Sequence, residues 1–575
     1  MNYNKENPWI KEREATICTW KIDYNRGYIN NMDTSLLIDF ACMSNRQLAE
    51  YAKMLKSCGF TGVQVTDMAT AWRAGGSWEN VHDKYKVFAD ELHKIGMKFT
   101  LWVWAAKFTG HGWVDEDVVY QSSDPDTPPC KDERVLASFN KYYDIYADMA
   151  PYSDRVIVHF FDPGEIWDME SIVYFTKLLA SKFRAINPAI KVGIDTWGSP
   201  DEYPTELVKA GMDDIMLMEL PFLPTWKEEG KRAKFREGVK SLGVELGSWG
   251  WYTCDYEIDQ TAAMTVNNRV ISHVFNETRR QADHVMIPSY WSELESYHIL
   301  NFFSMYAAGH LMINPDADPD VLLRESACLM TGSASGEDTD KLMTVLELIR
   351  DARSGDTWDT YWHTSNSFVY AIRDYSDILA RSDEAIKALE YLITLPEPTG
   401  GVALPITRKA FYRLVMPHLY QIRQFACMYL DFSAVEQLKA SGADKATLQE
   451  KINAIDFEIP EYNCIIGLWG QTEARIGYRM IEAFCRENGL VIPERGQTTK
   501  NTYKRRILDR IRVAQRGLNA PYLVDVNFYE SGWAFSPELN AKLFSELVEE
   551  GVLTHREDGL MYLTNWSDYR FDFNI

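Results

Sequence analysis

The chain has no apolar run long enough to cross a bilayer, which takes roughly 20 residues. Its first residues are polar and lack the basic, apolar and small-residue succession of an export signal. A helical membrane span is thereby excluded, and a cytoplasmic protein with no membrane partner is expected. Nine cysteines are scattered over 575 residues, with no CxxC pair and no Cys/His spacing of a metal site. That pattern fits reduced thiols rather than a disulfide framework and argues against a structural zinc. Positive charge is also short: a formal net charge of -23 argues against nucleic acid or an anionic membrane surface as partner. Neither an internal repeat nor a low-complexity segment is visible.

What is abundant is the aromatic residue, with 18 Trp and 31 Tyr. Their placement follows from the fold. The first two-thirds reads as short apolar runs alternating with helical patterns. Strands are expected at residues 15–20, 62–66, 98–104, 155–159, 191–194, 215–218, 244–248 and 285–288. Helices are expected between them at 45–57, 81–95, within 132–150, and at 168–185, 204–209, 226–242 and 258–281, with a last one at 293–308. Eight βα units in about 300 residues predict an α/β fold of the (β/α)8, or TIM, barrel class. From about Leu311 the alternation stops and long helical patterns take over after the turn-rich stretch 314–319, at 339–353, 368–395, 408–439 and 471–487. The expected division is a barrel over residues 1–310, a helical bundle over 311–500, and an α+β segment over 501–575. That last segment reads as a helix and a hairpin turning at Glu557-Asp558-Gly559. It has a superficial winged-helix look, but the net charge favours a structural docking role over DNA binding. The helical bundle has two open roles, narrowing the pocket mouth or forming a homodimer.

In a parallel barrel the loops after the strands form the functional face. The stretch RVIVHFFDPGE, residues 155–165, anchors that face. Val156, Ile157 and Val158 suit a strand buried on both sides, and the turn Asp162-Pro163-Gly164-Glu165 then holds two carboxylates at its end. The other strand ends repeat the theme. They carry Trp20; Asp67 with Trp72 and Arg73; Trp102, Trp104 and Lys107 with Trp113; His159; Asp195 and Trp197; Glu219; Trp249, Trp251 and Tyr252; and Tyr290, Trp291 and Glu293. Any one of these has a plainer role available. A rim Trp packs on a loop, Asp67 caps a turn, His159 is a hydrogen-bonded core histidine, and Lys107 and Arg73 neutralise acids. Taken together, indole faces stack on the C–H faces of sugars while carboxylates accept from hydroxyls, so the mixture suits a carbohydrate.

The chemistry suggested is glycosidic hydrolysis, which needs one protonated carboxyl as donor and a second group as base, nucleophile or stabiliser. Acids crowded in a Trp-walled pocket raise at least one pKa by desolvation and mutual repulsion. Glu165 is the expected general acid and Glu219 its preferred partner, with Asp195 as the second choice. Asp162 would orient Glu165 or a substrate hydroxyl. Trp20, Asp67, Trp104, Trp197, Trp249, Trp251, Tyr290 and Trp291 are the expected sugar-binding residues, and no cofactor or metal is required. Two other readings stay open. One is a metal-dependent sugar isomerase or aldolase in which Asp67, His159, Asp162, Asp195 and Glu219 bind a divalent cation, chiefly through oxygen ligands. The other is a non-catalytic sugar-binding barrel.

The acid pair closing strand four, followed by YAAGHLMINPDADPDVLLRESACLMTG at residues 306–332, resembles the glycoside hydrolase superfamily that includes the family 20 and 84 hexosaminidases and the family 67 and 115 α-glucuronidases. The resemblance covers roughly residues 15–355. It implies that Glu165 is the general acid. In the hexosaminidases the two strand-four acids are adjacent and the first steers the substrate's acetamido group. Here Pro163-Gly164 separates Asp162 from Glu165, a departure that speaks against acetamido-assisted catalysis. The α-glucuronidase arrangement, an acid on strand four opposed by carboxylates from later strands, matches Glu165 facing Asp195 or Glu219 better.

Overall fold

The structure is a computed structural model. It describes residues 3–18, 43–66, 78–105, 119, 121–160, 168–196, 199–219, 237–250, 252, 264–280, 288–295, 299–332, 336–354, 374–455, 473–493, 504, 507–508, 511, 515, 520–526 and 537–569. Eight strands close into a barrel: β1 (Glu12–Cys18), β2 (Gly62–Thr66), β3 (Lys98–Trp104), β4 (Arg155–His159), β5 (Lys191–Asp195), β6 (Met216–Glu219), β7 (Glu245–Gly250) and β8 (Tyr290–Glu295). Each pairs in parallel with the next, and β8 pairs in parallel with β1 to complete the ring. The expected barrel is the fold of this chain.

Strand alternation sorts each strand into two faces. Val63, Val65, Leu101, Val103, Val156, Val158, Ile194, Leu217 and Leu246 belong to the main core shared with the helices. Ile157, Met216, Met218 and Tyr290, with Trp102 and Trp249 against them, form a second cluster inside the barrel. Gly193 and Gly247 make room for it. A Cβ at Gly247 would lie 2.5 Å from the Met218 sulfur and 2.9 Å from that of Met216. Methionine, unbranched and flexible, fills the space that the glycines leave.

The helices that cover the barrel include α1 (Asn45–Ser57), α2 (Trp78–Lys94), α3 (Glu133–Ala147), α4 (Met169–Ile186), α5 (Tyr203–Lys209) and α6 (Asn268–Arg280). Local chemistry starts them. At α1 the Ser44 hydroxyl accepts from the Gln47 amide at 3.3 Å, while the Gln47 side chain accepts from the Ser44 amide at 2.9 Å. The helix then buries Leu48, Tyr51, Ala52, Met54 and Leu55. Asp168 caps α4 through the Ser171 amide at 2.8 Å.

The eighth strand requires a correction. It runs over Tyr290–Glu295, beyond the expected residues 285–288, and the following helix α7 starts at Phe302 rather than Glu293 (Phe302–Ile313). Tyr290 and Trp291 therefore open this strand instead of closing it. They stand toward the base of the barrel, away from the face formed by strand C-terminal ends.

The base of the barrel holds a buried ionic cluster. Arg155, only 1% exposed, reaches Glu14 at 3.2 Å and also pairs with Glu12. Its guanidinium lies 4.2 Å from the centre of the Tyr290 ring. Glu14 also accepts from Thr100 at 3.0 Å and from the Tyr290 hydroxyl at 2.7 Å, and Lys98 reaches Glu12 at 3.0 Å. Burial pushes the Glu14 carboxyl upward against the pull of Arg155. At Glu12 burial also pushes upward, but Arg155 and then Lys98 outweigh it and hold the carboxyl down at about 2. A carboxyl depressed on folding stabilises the fold above its ordinary value of 4.5 and loses that contribution as pH falls toward 2. Stability followed by thermal melts should therefore drop across that window. Glu12→Gln should flatten the slope there, and an unchanged slope would deny Glu12 this role.

Beyond the barrel, α7 is buried on nearly every side. Its Gly309 lies so close to α1 that a Cβ would overlap the Cys58 carbonyl oxygen. The obstacle is backbone, which has little freedom to yield, so Gly309→Ala should lower stability by about 1–3 kcal/mol. A melting temperature equal to wild type would refute this. The turn-rich stretch after α7 ends in a helix start: Asp318 caps α8 (Pro319–Thr331) through the Asp320 amide at 2.8 Å, with Pro319 at its first position. Arg269 of α6 binds Asp320 in a fork at 2.9 and 2.7 Å, and Arg350 adds a contact at 3.3 Å. Barrel and helices are thus joined by charge as well as by apolar packing.

The chain continues through α9 (Gly336–Ile349), α10 (Tyr375–Thr394), α11 (Arg408–Ala440), α12 (Lys445–Ala454) and α13 (Glu473–Asn488). Near the end, α14 (Pro537–Glu549) and the hairpin β9 (Leu553–His555) with β10 (Met561–Leu563) enclose a separate small core that includes Ile507, Leu543, Phe544 and Leu563. Val524 pairs with Met561 on the other side of β10.

Candidate active site

The expected functional face is only partly within the described residues. Trp20, Asp67, Asp162, Glu165, Trp197 and Trp251 lie outside them, as does the side chain of Trp104. The floor beneath the mouth is described and is built from the ends of β3, β4, β5, β6 and β7.

His159 and Asp195 are partners in the β4–β5 register, each the last residue of its strand. Both share the inward parity of Ile157 and Gly193. The imidazole Nδ1 lies 2.7 Å from Asp195 Oδ2, and the two side chains are 3% and 2% exposed. Trp102 of β3 covers the imidazole, with ring centres 4.4 Å apart and planes tilted by 33°. Trp249 of β7 stands in the same interior cluster over Met216 and Met218. The floor is therefore a buried, hydrogen-bonded His–Asp pair in a barrel interior that also holds two indoles and two thioethers.

Neighbouring bonds fix its height. The Thr196 amide and hydroxyl both donate to the Met218 carbonyl, at 3.0 and 2.7 Å, and tie the end of β5 to β6. On the other side the Ala105 amide donates to the His159 carbonyl at 2.7 Å, and the Tyr143 hydroxyl donates to the Ala105 carbonyl at 2.7 Å. The strand ends that carry His159 and Asp195 are thus held by backbone and side chain together.

Glu219 closes β6, is buried, and pairs in register with Ser248. It has the parity of Leu217, which faces the helices, rather than that of Met216 and Met218 inside. Its carboxylate therefore leaves the strand at the rim of the barrel wall, beside the interior rather than in it. The structure brings together Asp195, His159, Trp102 and Trp249, and sets Glu219 one step along and outward from Asp195.

Tyr290 and Trp291 are not part of this floor. The Tyr290 hydroxyl is engaged at the base with Glu14 at 2.7 Å and Gln64 at 3.0 Å, and burial with the Glu14 charge pushes its pKa well up. Trp291 is fully buried and packs edge-on against Phe275 with ring centres 4.8 Å apart. Its Nε1 donates at 3.0 Å to Glu293, which also accepts from the Tyr252 amide. Glu293 is a buried structural acceptor outside the barrel wall. What the sequence reading missed is the His159–Asp195 pair: each residue was in view, but their bond depends on the β4–β5 register.

Among the described residues no group of three or more His, Cys, Asp or Glu side chains is arranged to hold a metal ion, and no helix is long and apolar enough to cross a membrane. No family model and no curated protein matches the chain. Solved structures similar to it include a GH138 enzyme targeting pectin rhamnogalacturonan II, at 11% identity and a TM-score of 0.46, with 90% of this chain and 72% of that chain covered. Another is CpGH84B, at 11% identity and a TM-score of 0.43, with 77% and 72% covered. A family 89 glycoside hydrolase from Clostridium perfringens matches at 11% identity and a TM-score of 0.45, with 93% and 66% covered. At these identities and scores the likeness assigns neither a family nor an activity to the chain.

Proposed function

We propose that the C-terminal mouth of the barrel is the active site of a glycoside hydrolase acting on a small glycoside or oligosaccharide, with Glu165 as general acid and Glu219 as its partner. The observation that carries this reading is the floor itself. The His159–Asp195 pair is covered by Trp102, and Trp249 packs on the interior cluster that holds Met216 and Met218, so the floor combines the two things a sugar needs, aromatic faces and fixed polar groups. Asp195, bonded to His159, is better suited to orientation than to acid–base work, which leaves Glu165 and Glu219 as the reacting pair. Asp162 would then steer Glu165 or a substrate hydroxyl. The test is a cleavage screen over chromogenic α- and β-glycosides, uronides and N-acetylhexosaminides included. A hit abolished in both Glu165→Gln and Glu219→Gln supports the assignment, whereas cleavage that persists in both variants removes it.

A second reading also draws on the floor. A carboxylate bonded to one imidazole nitrogen is the usual support for a histidine that binds metal through the other. Activity lost on chelation and restored by a divalent cation would favour the sugar isomerase or aldolase reading.

A further inference from the structure

We propose that Thr196 is a positioning residue whose hydroxyl sets the spacing between the Asp195 and Glu219 carboxylates. This deepens the reading given under Proposed function and rests on it for the reaction that Glu219 serves.

The link between the two strand ends is stronger than strand pairing requires. Asp195 stands opposite Met218 in the β5–β6 register, so the amide of the next residue, Thr196, meets the Met218 carbonyl as parallel pairing provides, at 3.0 Å. The hydroxyl adds a second donor to the same oxygen at 2.7 Å, which engages both lone pairs of that carbonyl. Thr196 is fully buried and β-branched, so its side chain has little rotational freedom. The Met218 carbonyl belongs to the planar peptide unit that carries the Glu219 nitrogen. Holding it holds the direction in which Glu219 leaves β6. On the other side Glu219 is paired in register with Ser248 of β7. Asp195 is covalently joined to Thr196, so one hydroxyl couples the backbones that carry both carboxylates. A reacting group misplaced by about 1 Å can lose about a hundredfold in rate, so slack in this link should show in turnover before it shows in folding.

The experiment compares wild type, Thr196→Val and Thr196→Ser in the full chain. Valine deletes the hydroxyl while keeping the branched shape and the amide bond, and serine restores a hydroxyl. On a glycoside that the wild type cleaves, Thr196→Val should lower kcat about tenfold with KM changed by less than about twofold, and Thr196→Ser should keep at least about half of the wild-type kcat. Crystal structures of the three proteins should show the Glu219 carboxylate displaced from its wild-type distance to Asp195 by more than about 0.5 Å in Thr196→Val and by less in Thr196→Ser. The proposal is overturned by a valine variant with unchanged kcat, by a loss confined to KM, by a serine variant as impaired as the valine one, or by a Glu219 carboxylate that valine leaves in place. If the wild type cleaves no glycoside, the hydrolase reading fails, and the carboxylate displacement by itself supports or overturns the positioning role. If Thr196→Val fails to fold, Thr196→Ala takes its place, since it also lacks the hydroxyl and keeps the amide bond.

Discussion

Glu165→Gln should reduce turnover about 10²–10⁴-fold, the range typical for loss of a general acid or base. The deficit should depend on the leaving group. A general acid matters most when the departing oxygen is basic, as in an alkyl glycoside, and least when the aglycone is a good leaving group such as a dinitrophenolate. The variant should therefore be nearly inactive on alkyl and unsubstituted phenyl glycosides and retain much more activity on dinitrophenyl ones, with substrate affinity little changed. Measuring kcat and KM across such a series checks this. A uniform loss across all leaving groups would assign Glu165 to the base or nucleophile and move the acid to another carboxylate, Glu219 first.

The largest expected effect on stability lies at the opposite end of the barrel. Arg155→Met should destabilise the protein by about 3–5 kcal/mol, because it removes the cation of a buried ionic group and leaves Glu14 without its counter-charge, while Glu12 keeps Lys98. Glu14 is fully buried, and Arg155 is the cation that reaches it, at 3.2 Å. Against a typical total of about 5–15 kcal/mol, such a loss is a large share of the stability of the fold. The physical cause is separable from lost side-chain volume. Methionine keeps most of the apolar stem, and adding Glu14→Gln to Arg155→Met removes the stranded charge. The double variant should recover part of the loss in urea unfolding. Equal stability of the single and double variants would mean that packing against Tyr290, and not charge, sets the cost.

These two ends of one barrel differ in how far sequence alone reveals them. The apolar runs at Val63, Val65 and Val156 to Val158 announce buried strands, because a parallel barrel is covered by helices outside and packed within. Strand eight hides for the opposite reason. Tyr290-Trp291-Ser292-Glu293-Leu294-Glu295 carries two acids and an indole and resembles a helix start, and Glu293 is acceptable in a buried strand only because the Trp291 indole and the Tyr252 amide donate to it. Glu12 and Glu14 lie ahead of the first strand expected at 15–20, whereas β1 takes them in, and their meeting with Arg155 shows only when the register aligns β1 with β4 across β2 and β3. The floor of the site was legible as a set of residues at strand ends. The bond between His159 and Asp195 was not, since a single step of register would move every side chain of the strand to the other face.

A sugar bound as proposed lies on the Trp102 and Trp249 side of the mouth, with its reacting bond at Glu165. The most direct measurement is a crystal structure of Glu165→Gln soaked with a glycoside that the wild-type enzyme cleaves and the variant does not. The sugar ring should lie over the indoles, with the glycosidic oxygen within about 3 Å of the residue 165 side chain. A glycoside bound away from the barrel mouth, or with its glycosidic oxygen facing neither residue 165 nor Glu219, would contradict the proposed site.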